Sequence, residues 1–230
     1  MQTAGYSGFQ LGPPQEFLPL RAQSSDDASY RAWFLLQRII AGLALLFLSP
    51  LFLLMWILVK GTSKGPFLFC QKRPGMNDAP FPIYKVRTMR PGSEKRTALG
   101  VVNTDPQVTR IGRVLRALKL DELPQLWNIV RGDMALVGPR PIPEALDKEL
   151  RTRIPGFELR YQVRPGLTSI GQVCVNDNGL GDQLVEDWGT RFAGELHYLR
   201  NRSFSYDIVM VFLTAWYVLR KLIKSNSKGS

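Results

Sequence analysis

The sequence predicts a helix-rich, mixed α/β domain that is attached to a membrane. A stretch of 21 residues, 39–59, carries no charge and is long enough to cross a hydrocarbon core. Between residues 61 and 202, short segments rich in aromatic and β-branched residues are combined with a segment of helical spacing. At 230 residues the chain can form one domain with a substantial core and an appendage.

The charge balance predicts an anionic partner. The chain has 30 Lys and Arg against 19 Asp and Glu, a formal net charge of +11. Nucleic acid, a phospholipid surface and a phosphorylated substrate all fit this balance. With only Cys70, Cys174 and His197, neither a zinc site nor a disulfide framework is supported. The part outside the membrane is therefore expected to face a reducing cytoplasm.

Both termini are predicted to be tails. The first thirty residues are polar and rich in Gly, Pro, Ser and Gln, without the apolar core of a cleavable signal peptide. This composition favours a flexible tail over residues 1–30. A short basic tail is predicted over residues 223–230.

The apolar segment is interrupted at its centre by Ser49-Pro50. Proline removes a backbone donor and clashes with the preceding turn, so a sharp bend is expected there. Basic residues flank the segment on both sides, and the positive-inside rule therefore gives no preference for opposite sides; they are Arg31, Arg38, Lys60 and Lys64. A re-entrant hairpin that enters and leaves by one face and an ordinary kinked span both remain open.

A second, shorter apolar run lies near the C-terminus, from Ile208 to Leu219, and is too short to span a membrane. Trp216 and Tyr217 suit the headgroup boundary, and the basic residues that follow them suit anionic lipid. The run therefore predicts an amphipathic helix in the membrane interface. A buried core helix is the alternative.

Two extended segments and one helix are predicted between these apolar runs. The sequences GPFLFCQKRPG and FPIYKVRTM indicate extended structure because aromatic and β-branched residues are bounded by Gly and Pro. In DPQVTRIGRVLRALKL, apolar residues at 111, 114, 115 and 118 have helical spacing. Arg110, Arg113 and Arg116 follow another face of this helix, which is expected to end before the next acidic residues.

Those acidic residues are Asp121 and Glu122, set between leucines in LKLDELPQLWN. One interpretation is structural: Pro124 belongs in the first turn of a helix, so Asp121 would be its N-cap. The other is chemical, because adjacent carboxylates at the positive end of a helix can act as nucleophile and metal ligand for a polyanionic substrate. The residues alone leave both interpretations open.

Two rigid loops present arginine further along the chain. GDMALVGPRP places Arg140 between two prolines, and VRPGLTSIGQV carries Arg164 beside a Pro-Gly turn. A planar guanidinium can donate two parallel hydrogen bonds to one phosphate, so each loop is a candidate phosphate clamp. Each is also compatible with a turn that carries a solvated charge.

Taken in order, the broken apolar segment, YKVRTM, LDELPQLWN, GDMALVGPRP and RPGLT closely resemble the monotopic phosphoglycosyl transferases, a family of bacterial sugar transferases. The resemblance covers residues 31–222. It implies a re-entrant membrane helix over residues 31–60, broken at Ser49-Pro50, and a cytoplasmic catalytic domain over residues 61–222. The chain resembles the minimal form of the family.

The resemblance also implies an activity and its partners. The expected reaction moves a phosphosugar from a UDP-sugar to a polyprenol phosphate, undecaprenyl phosphate, and gives polyprenol diphosphate sugar and UMP. This reaction initiates the synthesis of exopolysaccharide or a related glycoconjugate. The expected location is the cytoplasmic face of the bacterial inner membrane, among anionic phospholipids and without nucleic acid. Homodimerisation and the identity of the sugar are left open.

The same resemblance assigns roles to individual residues. Asp121 matches the nucleophile that forms a covalent aspartyl phosphosugar, and Glu122 matches its partner, which is associated with Mg²⁺. The two carboxylates are therefore expected to hold the metal. Four basic residues are expected to bind the substrate phosphates: Lys85, Arg87, Arg116 and Arg140.

The chain departs from the family pattern in two places. Many relatives have Ser or Thr at the position of Lys119, where it would form a capping box with Glu122. After RPGLT the sequence SIGQVCV replaces the usual continuation, in a loop that bears on sugar choice.

A second hypothesis, a non-catalytic membrane-bound scaffold for anionic partners, predicts that the acidic pair is dispensable. A nucleic-acid binder is disfavoured because no such module is recognisable.

Overall fold

A computed structural model describes residues 28–93, 105–171 and 182–226 of the chain. Seven helices and four short strands are described in these ranges, which confirms the predicted helix-rich, mixed α/β fold. Most of the predicted N-terminal tail and most of the SIGQVCV loop lie outside the described residues.

The apolar segment forms two helices rather than one. Helix α1 runs Ala28–Phe47 and helix α2 runs Ser49–Thr62, with Pro50 in the first turn of α2. The break therefore falls where the sequence predicts it, because proline is accepted in a first turn and disrupts a helix interior. By length and composition, α1 is the one helix among the described residues that could cross a membrane, and α2 is a shorter apolar helix.

Both helices pack on the same body of protein. Ala41 of α1 is buried in a cluster with Leu126 and Ile129 of helix α4 (Gln125–Arg131). Met55 and Val59 of α2 are buried in a second cluster, with Leu115 and Val86. Large apolar side chains on the opposite faces remain exposed: Leu43, Leu46 and Phe47 on α1, and Leu53, Leu54 and Ile57 on α2.

The two predicted extended segments pair as an antiparallel hairpin. Strand β1 is Leu68–Pro74 and strand β2 is Pro80–Val86, in a register that sets Phe69 opposite Lys85. The predicted helix is also confirmed as α3, Arg110–Ala117, which ends before the acidic pair. Thr109 caps α3 by accepting a hydrogen bond from the Gly112 amide at 2.9 Å.

A second pair of strands carries the two arginine loops. Strands β3 (Ala135–Val137) and β4 (Gly166–Thr168) are parallel, and Gly166 is the register partner of Ala135. The chain segments approach so closely here that a Cβ on Gly138 would lie 2.4 Å from the Arg164 carbonyl oxygen. Glycine is therefore required sterically where β3 leads into the GPRP loop.

The main apolar core lies beside these strands. It is formed by helix α5 (Glu144–Arg153), a 3-10 turn (Phe157–Gln162) and helix α6 (Asp182–Asn201). Fully or nearly fully buried side chains from all three fill it: Leu146, Leu150, Phe157, Phe192 and Leu199. Ile142, which directly follows the GPRP loop, is buried in the same cluster, so the core adjoins that loop.

The C-terminal apolar run forms the first part of helix α7, Phe204–Asn226. Met210 is buried against Val137 and Tyr198, so one face of α7 packs on the domain. The other face exposes Phe204, Val209, Phe212, Leu213 and Trp216. Helix α7 is therefore an amphipathic helix, and the alternative of a fully buried core helix is wrong.

Candidate active site

The acidic pair lies in a short 3-10 turn, Leu120–Glu122, between α3 and α4. The preceding residue, Lys119, adopts left-handed backbone angles with φ at 59°. Helix α4 begins directly after Pro124, which is its N-cap, and no described side chain caps its first turn. The interpretation of Asp121 as an N-cap is therefore wrong, because its carboxylate does not bond to the start of α4. The left-handed Lys119 also lacks the extended angles of a capping residue.

Asn128 of α4 fixes this turn against the hairpin. Its side-chain oxygen accepts a hydrogen bond from the Tyr84 amide at 3.2 Å, and its side-chain nitrogen donates to the Pro82 carbonyl at 2.6 Å. Asn128 is fully buried, so these bonds are shielded from water. They place the segment after the acidic pair beside the strand that carries Lys85.

Glu122 is held by cations from two other segments. Its Oε1 atom lies 3.0 Å from Lys85 Nζ, on β2, and 2.6 Å from Arg140 Nη2, in the GPRP loop. The three side chains are only partly accessible, with exposed fractions of 22%, 20% and 12% for Lys85, Arg140 and Glu122. The structure therefore brings together residues that are up to 55 positions apart in the chain.

The two adjacent carboxyl groups have opposite electrostatic environments. Burial, followed by the charge of Glu122, raises the pKa of Asp121 above its usual value. Burial alone would also raise the pKa of Glu122, but Arg140 and Lys85 outweigh it and hold this pKa well below its usual value. The charge of Glu122 is thus balanced by fixed cations, while Asp121 is a poorly solvated and more basic carboxylate.

The other two predicted phosphate ligands occupy different places. Arg116 donates from Nε to the Thr88 hydroxyl at 2.9 Å, and its positive charge lowers the pKa of Asp121. Arg87 is buried and donates to the carbonyl and hydroxyl oxygens of Ser63, both at 2.8 Å, just after α2. Arg116 therefore lies within electrostatic range of the acidic pair, whereas the described bonds of Arg87 secure the end of α2.

Arg164, the arginine of the second loop, lies beside helix α1. Its Nε donates to the Gly132 carbonyl at 3.1 Å, and its guanidinium carbon is 4.1 Å from the centre of the Phe34 ring on α1. The two arginine loops thus have different environments: Arg140 faces the acidic pair, and Arg164 stacks on α1.

The family of the chain follows from a comparison of sequences. Residues 31–221 match the family described as bacterial sugar transferase, so the match includes the acidic pair and all of its cationic partners. The chain belongs to the bacterial sugar transferase family. The range also agrees closely with the 31–222 over which the motifs show the resemblance.

Named relatives of this sugar transferase are about 40% identical. A Caulobacter vibrioides protein named UDP-glucose:undecaprenyl-phosphate glucose-1-phosphate transferase is 40% identical over 89% of this chain and 76% of its own length. A Sinorhizobium fredii protein named exopolysaccharide production protein ExoY is 40% identical over 76% of this chain and 80% of its own. An Aeromonas hydrophila protein named UDP-N-acetylgalactosamine-undecaprenyl-phosphate N-acetylgalactosaminephosphotransferase is 37% identical over 76% of this chain. The chain spans only 35% to 40% of several longer relatives.

Sequence reasoning missed one arginine of this sugar transferase site. Arg73, at the end of β1, has a pKa lowered to about 9, because of burial and then the charge of Arg140, with Glu122 opposing. It donates to Gln71 at 2.7 Å, and its Nε atom is buried without a partner among the described residues. Its position in the sequence, directly before Pro74 at the end of β1, carries no signal specific to the site.

The carboxylate pair is compatible with Mg²⁺, the metal that the family resemblance implies. Lys85 and Arg140 both bond to Oε1 of Glu122, so neither of these bonds uses Oε2. Within the described ranges, no group of three or more metal-binding side chains occurs. Mg²⁺ is commonly held by one or two carboxylates together with substrate phosphates and water. A bound diphosphate would have to supply the remaining ligands.

Proposed function

We propose that this chain transfers a sugar 1-phosphate from a UDP-sugar to undecaprenyl phosphate at the cytoplasmic face of the bacterial inner membrane. The observation that carries the proposal is the contrast between Asp121 and Glu122 within a sequence that matches the bacterial sugar transferases. UDP-glucose is the first donor to test. The Caulobacter vibrioides relative, whose length this chain covers to 76%, carries UDP-glucose in its name. The named relatives differ in sugar, so N-acetylgalactosamine is the alternative.

The proposed reaction proceeds in two displacements. An oxygen of Asp121 attacks the phosphorus atom that bears the sugar, and the bond from this phosphorus to the bridging oxygen breaks. UMP leaves with that bonding electron pair, and an aspartyl phosphosugar remains. A phosphate oxygen of undecaprenyl phosphate then attacks the same phosphorus, releases the Asp121 carboxylate and forms the polyprenol diphosphate sugar.

The charges around Asp121 favour attack on an anion. The phosphate repels the nucleophile until positive charge offsets the repulsion, and Lys85, Arg116 and Arg140 place three cations around the acidic pair. When bound to Asp121 and Glu122, Mg²⁺ would supply further positive charge to the phosphate oxygens. Glu122 is ionised over the physiological range, because its pKa is held low, and it keeps Lys85 and Arg140 in place.

The membrane attachment is proposed to be re-entrant. Support comes from the helix break at Leu48 and from the packing of α1 and α2 on one domain. Trp33, near the start of α1, donates to Asp207 of α7 at 2.8 Å, while Ser63, directly after α2, accepts two hydrogen bonds from Arg87 at 2.8 Å. Contacts of both outer ends with the domain favour a hairpin that returns to the face by which it enters. The exposed apolar face of α7 would then rest in the interface, against anionic phospholipid.

The decisive experiment is a donor panel. Protein purified in detergent or nanodiscs is incubated with undecaprenyl phosphate, Mg²⁺ and one UDP-sugar at a time, and UMP release is measured. We expect release with one preferred UDP-sugar, loss of release with EDTA, and recovery with added Mg²⁺. A radiolabelled sugar should also become attached to protein when undecaprenyl phosphate is omitted. If no UDP-sugar gives UMP while the protein is folded, the transferase proposal is wrong and a scaffold becomes the better reading.

A further inference from the structure

The backbone of Arg140 is bound by a buried ion pair. Its N–H donates to Glu195 Oε1 at 3.1 Å, and its carbonyl accepts a hydrogen bond from Arg160 Nη2 at 2.7 Å. The neighbouring residues, Pro139 and Pro141, have no N–H, so this amide is the one main-chain donor in the Pro-Arg-Pro segment. The Arg160–Glu195 pair therefore binds both the main-chain N–H and the main-chain carbonyl of Arg140.

The pair itself has the geometry of a double hydrogen bond. Arg160 donates from Nε to Glu195 Oε2 and from Nη2 to Oε1, each at 2.9 Å. The side chains are 0% and 2% exposed. The guanidinium carbon lies 4.7 Å from the centre of the Phe157 ring and 5.4 Å from that of Trp188. Such an arrangement is rigid, because the planar donor fork and the rings leave few rotamers.

Stability alone does not account for this ion pair. Taking two charges out of water is expensive, and replacing a buried pair by apolar residues is often neutral or stabilising. Here the pair also bonds to the main chain of Arg140, and the side chain of Arg140 contacts Glu122. The contact links α6 and the 3-10 turn of the core to the acidic pair through one residue.

We propose that Glu195 and Arg160 are positioning residues, which fix the main chain of Arg140 so that its guanidinium meets Glu122 and the diphosphate of the donor. The inference rests on the proposed transferase function for its second half. Neither residue touches Glu122 through a described contact, so the effect of each passes through Arg140. Pro141 confines the Arg140 backbone to the extended region but leaves its φ a range of about 80°, and the ion pair restricts the rotation within that range.

A double-mutant cycle tests the proposal. Glu195→Gln keeps the shape of the side chain and an acceptor for the Arg140 amide but loses the charge that holds Arg160. We expect it to lower kcat/KM for the preferred UDP-sugar about tenfold, the usual effect of losing roughly one charge-assisted contact. In an Arg140→Ala background the same change should have less than about a twofold effect, because the residue through which it acts is gone. Equal losses in both backgrounds would show a purely structural role and overturn the proposal.

Binding supplies a readout that does not depend on turnover. Calorimetric titration of UDP-glucose into Asp121→Asn protein, with and without Glu195→Gln, should show weaker binding in the double variant, and Arg140→Ala should again remove the difference. If the wild-type chain binds UDP-glucose but releases UMP from no UDP-sugar, the transferase proposal is wrong. The binding measurements would still test the coupling between Glu195 and Arg140. If nucleotide affinity is the same with and without Glu195→Gln, the positioning role is excluded.

A matched control separates positioning from general loss of stability. Asp207 is also buried, at 1% exposed, and accepts hydrogen bonds from Trp33 and Tyr198. Asp207→Asn should lower the melting temperature without the Arg140-dependent loss of affinity. If Glu195→Gln does not fold, Arg160→Lys takes its place in the cycle, since it keeps the buried charge but not the fork. Coupling of Asp207→Asn to Arg140 as strong as that of either variant would overturn the inference.

Discussion

Asp121 and Glu122 are neighbours in the chain, yet burial dominates the first and cations dominate the second. The difference arises because the two side chains have different contacts. Glu122 forms ion pairs with Lys85 and Arg140, whereas Asp121 is influenced by nearby charges without a described hydrogen bond. A nucleophilic carboxylate benefits from poor solvation, because a strong hydrogen bond would hold the electron pair that must attack. In the proposed reaction, Asp121 is therefore the nucleophile and Glu122 holds the cations in place.

Asp121→Asn is expected to abolish UMP release while leaving the fold intact. The amide is nearly isosteric but cannot form an acyl phosphate. Because the pKa of Asp121 is raised in the fold, its ionised form costs stability above the unfolded pKa, and a neutral amide removes that cost. The melting temperature at neutral pH should therefore be equal or higher. A variant that keeps more than about a few per cent of turnover would exclude Asp121 as the nucleophile.

The pH dependence of kcat/KM is expected to show the raised pKa of Asp121. The carboxylate must be ionised to attack, so activity should be lost as the pH falls through a value above the usual range for aspartate. Arg116→Ala removes a charge that lowers this pKa, and the acidic limb should move to higher pH. The measurement is UMP release against pH at low donor concentration.

Arg113→Ala is the control for that shift, since Arg113 lies on the same helix with an exposed side chain. It changes the net charge by the same amount, so its acidic limb should stay in place. If Arg116→Ala lowers kcat/KM at all pH values without moving the limb, Arg116 acts only on the substrate and does not tune Asp121.

The sequence predicted the identities of these residues better than their contacts. Asp121, Glu122, Lys85 and Arg140 come together as expected, because their motifs are local and recognisable. The capping interpretation failed because it placed Pro124 inside the first turn of α4, whereas Pro124 is itself the N-cap and Asp121 lies in the separate 3-10 turn before it. The Arg160–Glu195 pair was missed because its members are 35 positions apart and each has an ordinary sequence context.

At the scale of elements, the hairpin, α3 and the helix break were predictable because each depends on local chemistry. Turn residues bound the strands, apolar residues with helical spacing form α3, and proline divides α1 from α2. The parallel pairing of β3 with β4 was not predicted. Each strand has only three residues and its partner lies about thirty positions away, so neither periodicity nor turn chemistry indicates the pair.

Asn128→Ala is expected to destabilise the contact between α4 and the hairpin. The change leaves the Tyr84 amide and Pro82 carbonyl, both on half-buried residues, without their described partner, at a cost of about 1–3 kcal/mol for each group that water cannot reach. Chemical denaturation in detergent measures the loss. Activity should fall further than stability alone explains, because the acidic pair would move relative to Lys85.

Asn201→Ala is the matched control for that experiment. Asn201 is exposed at the end of α6 and bonds to the His197 carbonyl of the preceding turn. Its replacement should change the unfolding free energy by no more than about 0.5 kcal/mol, as for most surface substitutions. Equal effects of the two alanine variants would mean that Asn128 does not secure the site.

At the scale of the molecule, three apolar helices pack on the domain. Helices α1, α2 and α7 each bury one face on the domain and expose large apolar side chains on another. Trp33 of α1, Asp207 of α7 and Tyr198 of α6 are joined by hydrogen bonds of 2.8 and 3.0 Å. These helices are thereby fixed to the same core that supports Arg140. In the proposed membrane attachment, they would hold the site at a constant depth below the lipid phosphates.

The re-entrant topology predicts that both ends of the α1–α2 segment are on the cytoplasmic side. Arg31 and Lys64 are exposed, so a single cysteine can be placed at either position after Cys70 and Cys174 are replaced by serine. A membrane-impermeant thiol reagent is added to intact spheroplasts and to opened membranes. Both positions should be labelled only after opening. A third chain, in which only Cys174 is replaced, keeps Cys70, which is exposed on β1, reports the side of the domain and should also be labelled only after opening.

Pro50→Leu changes the balance between the two topologies. Leucine restores the missing amide donor and removes the clash of the proline ring, so a continuous apolar helix of residues 39–59 becomes available to span the membrane. A fraction of the Arg31→Cys or Lys64→Cys sites should then become accessible from outside, with a matching loss of UMP release. Labelling of one position but not the other in the chain with Pro50 intact would contradict the hairpin and establish an ordinary kinked span.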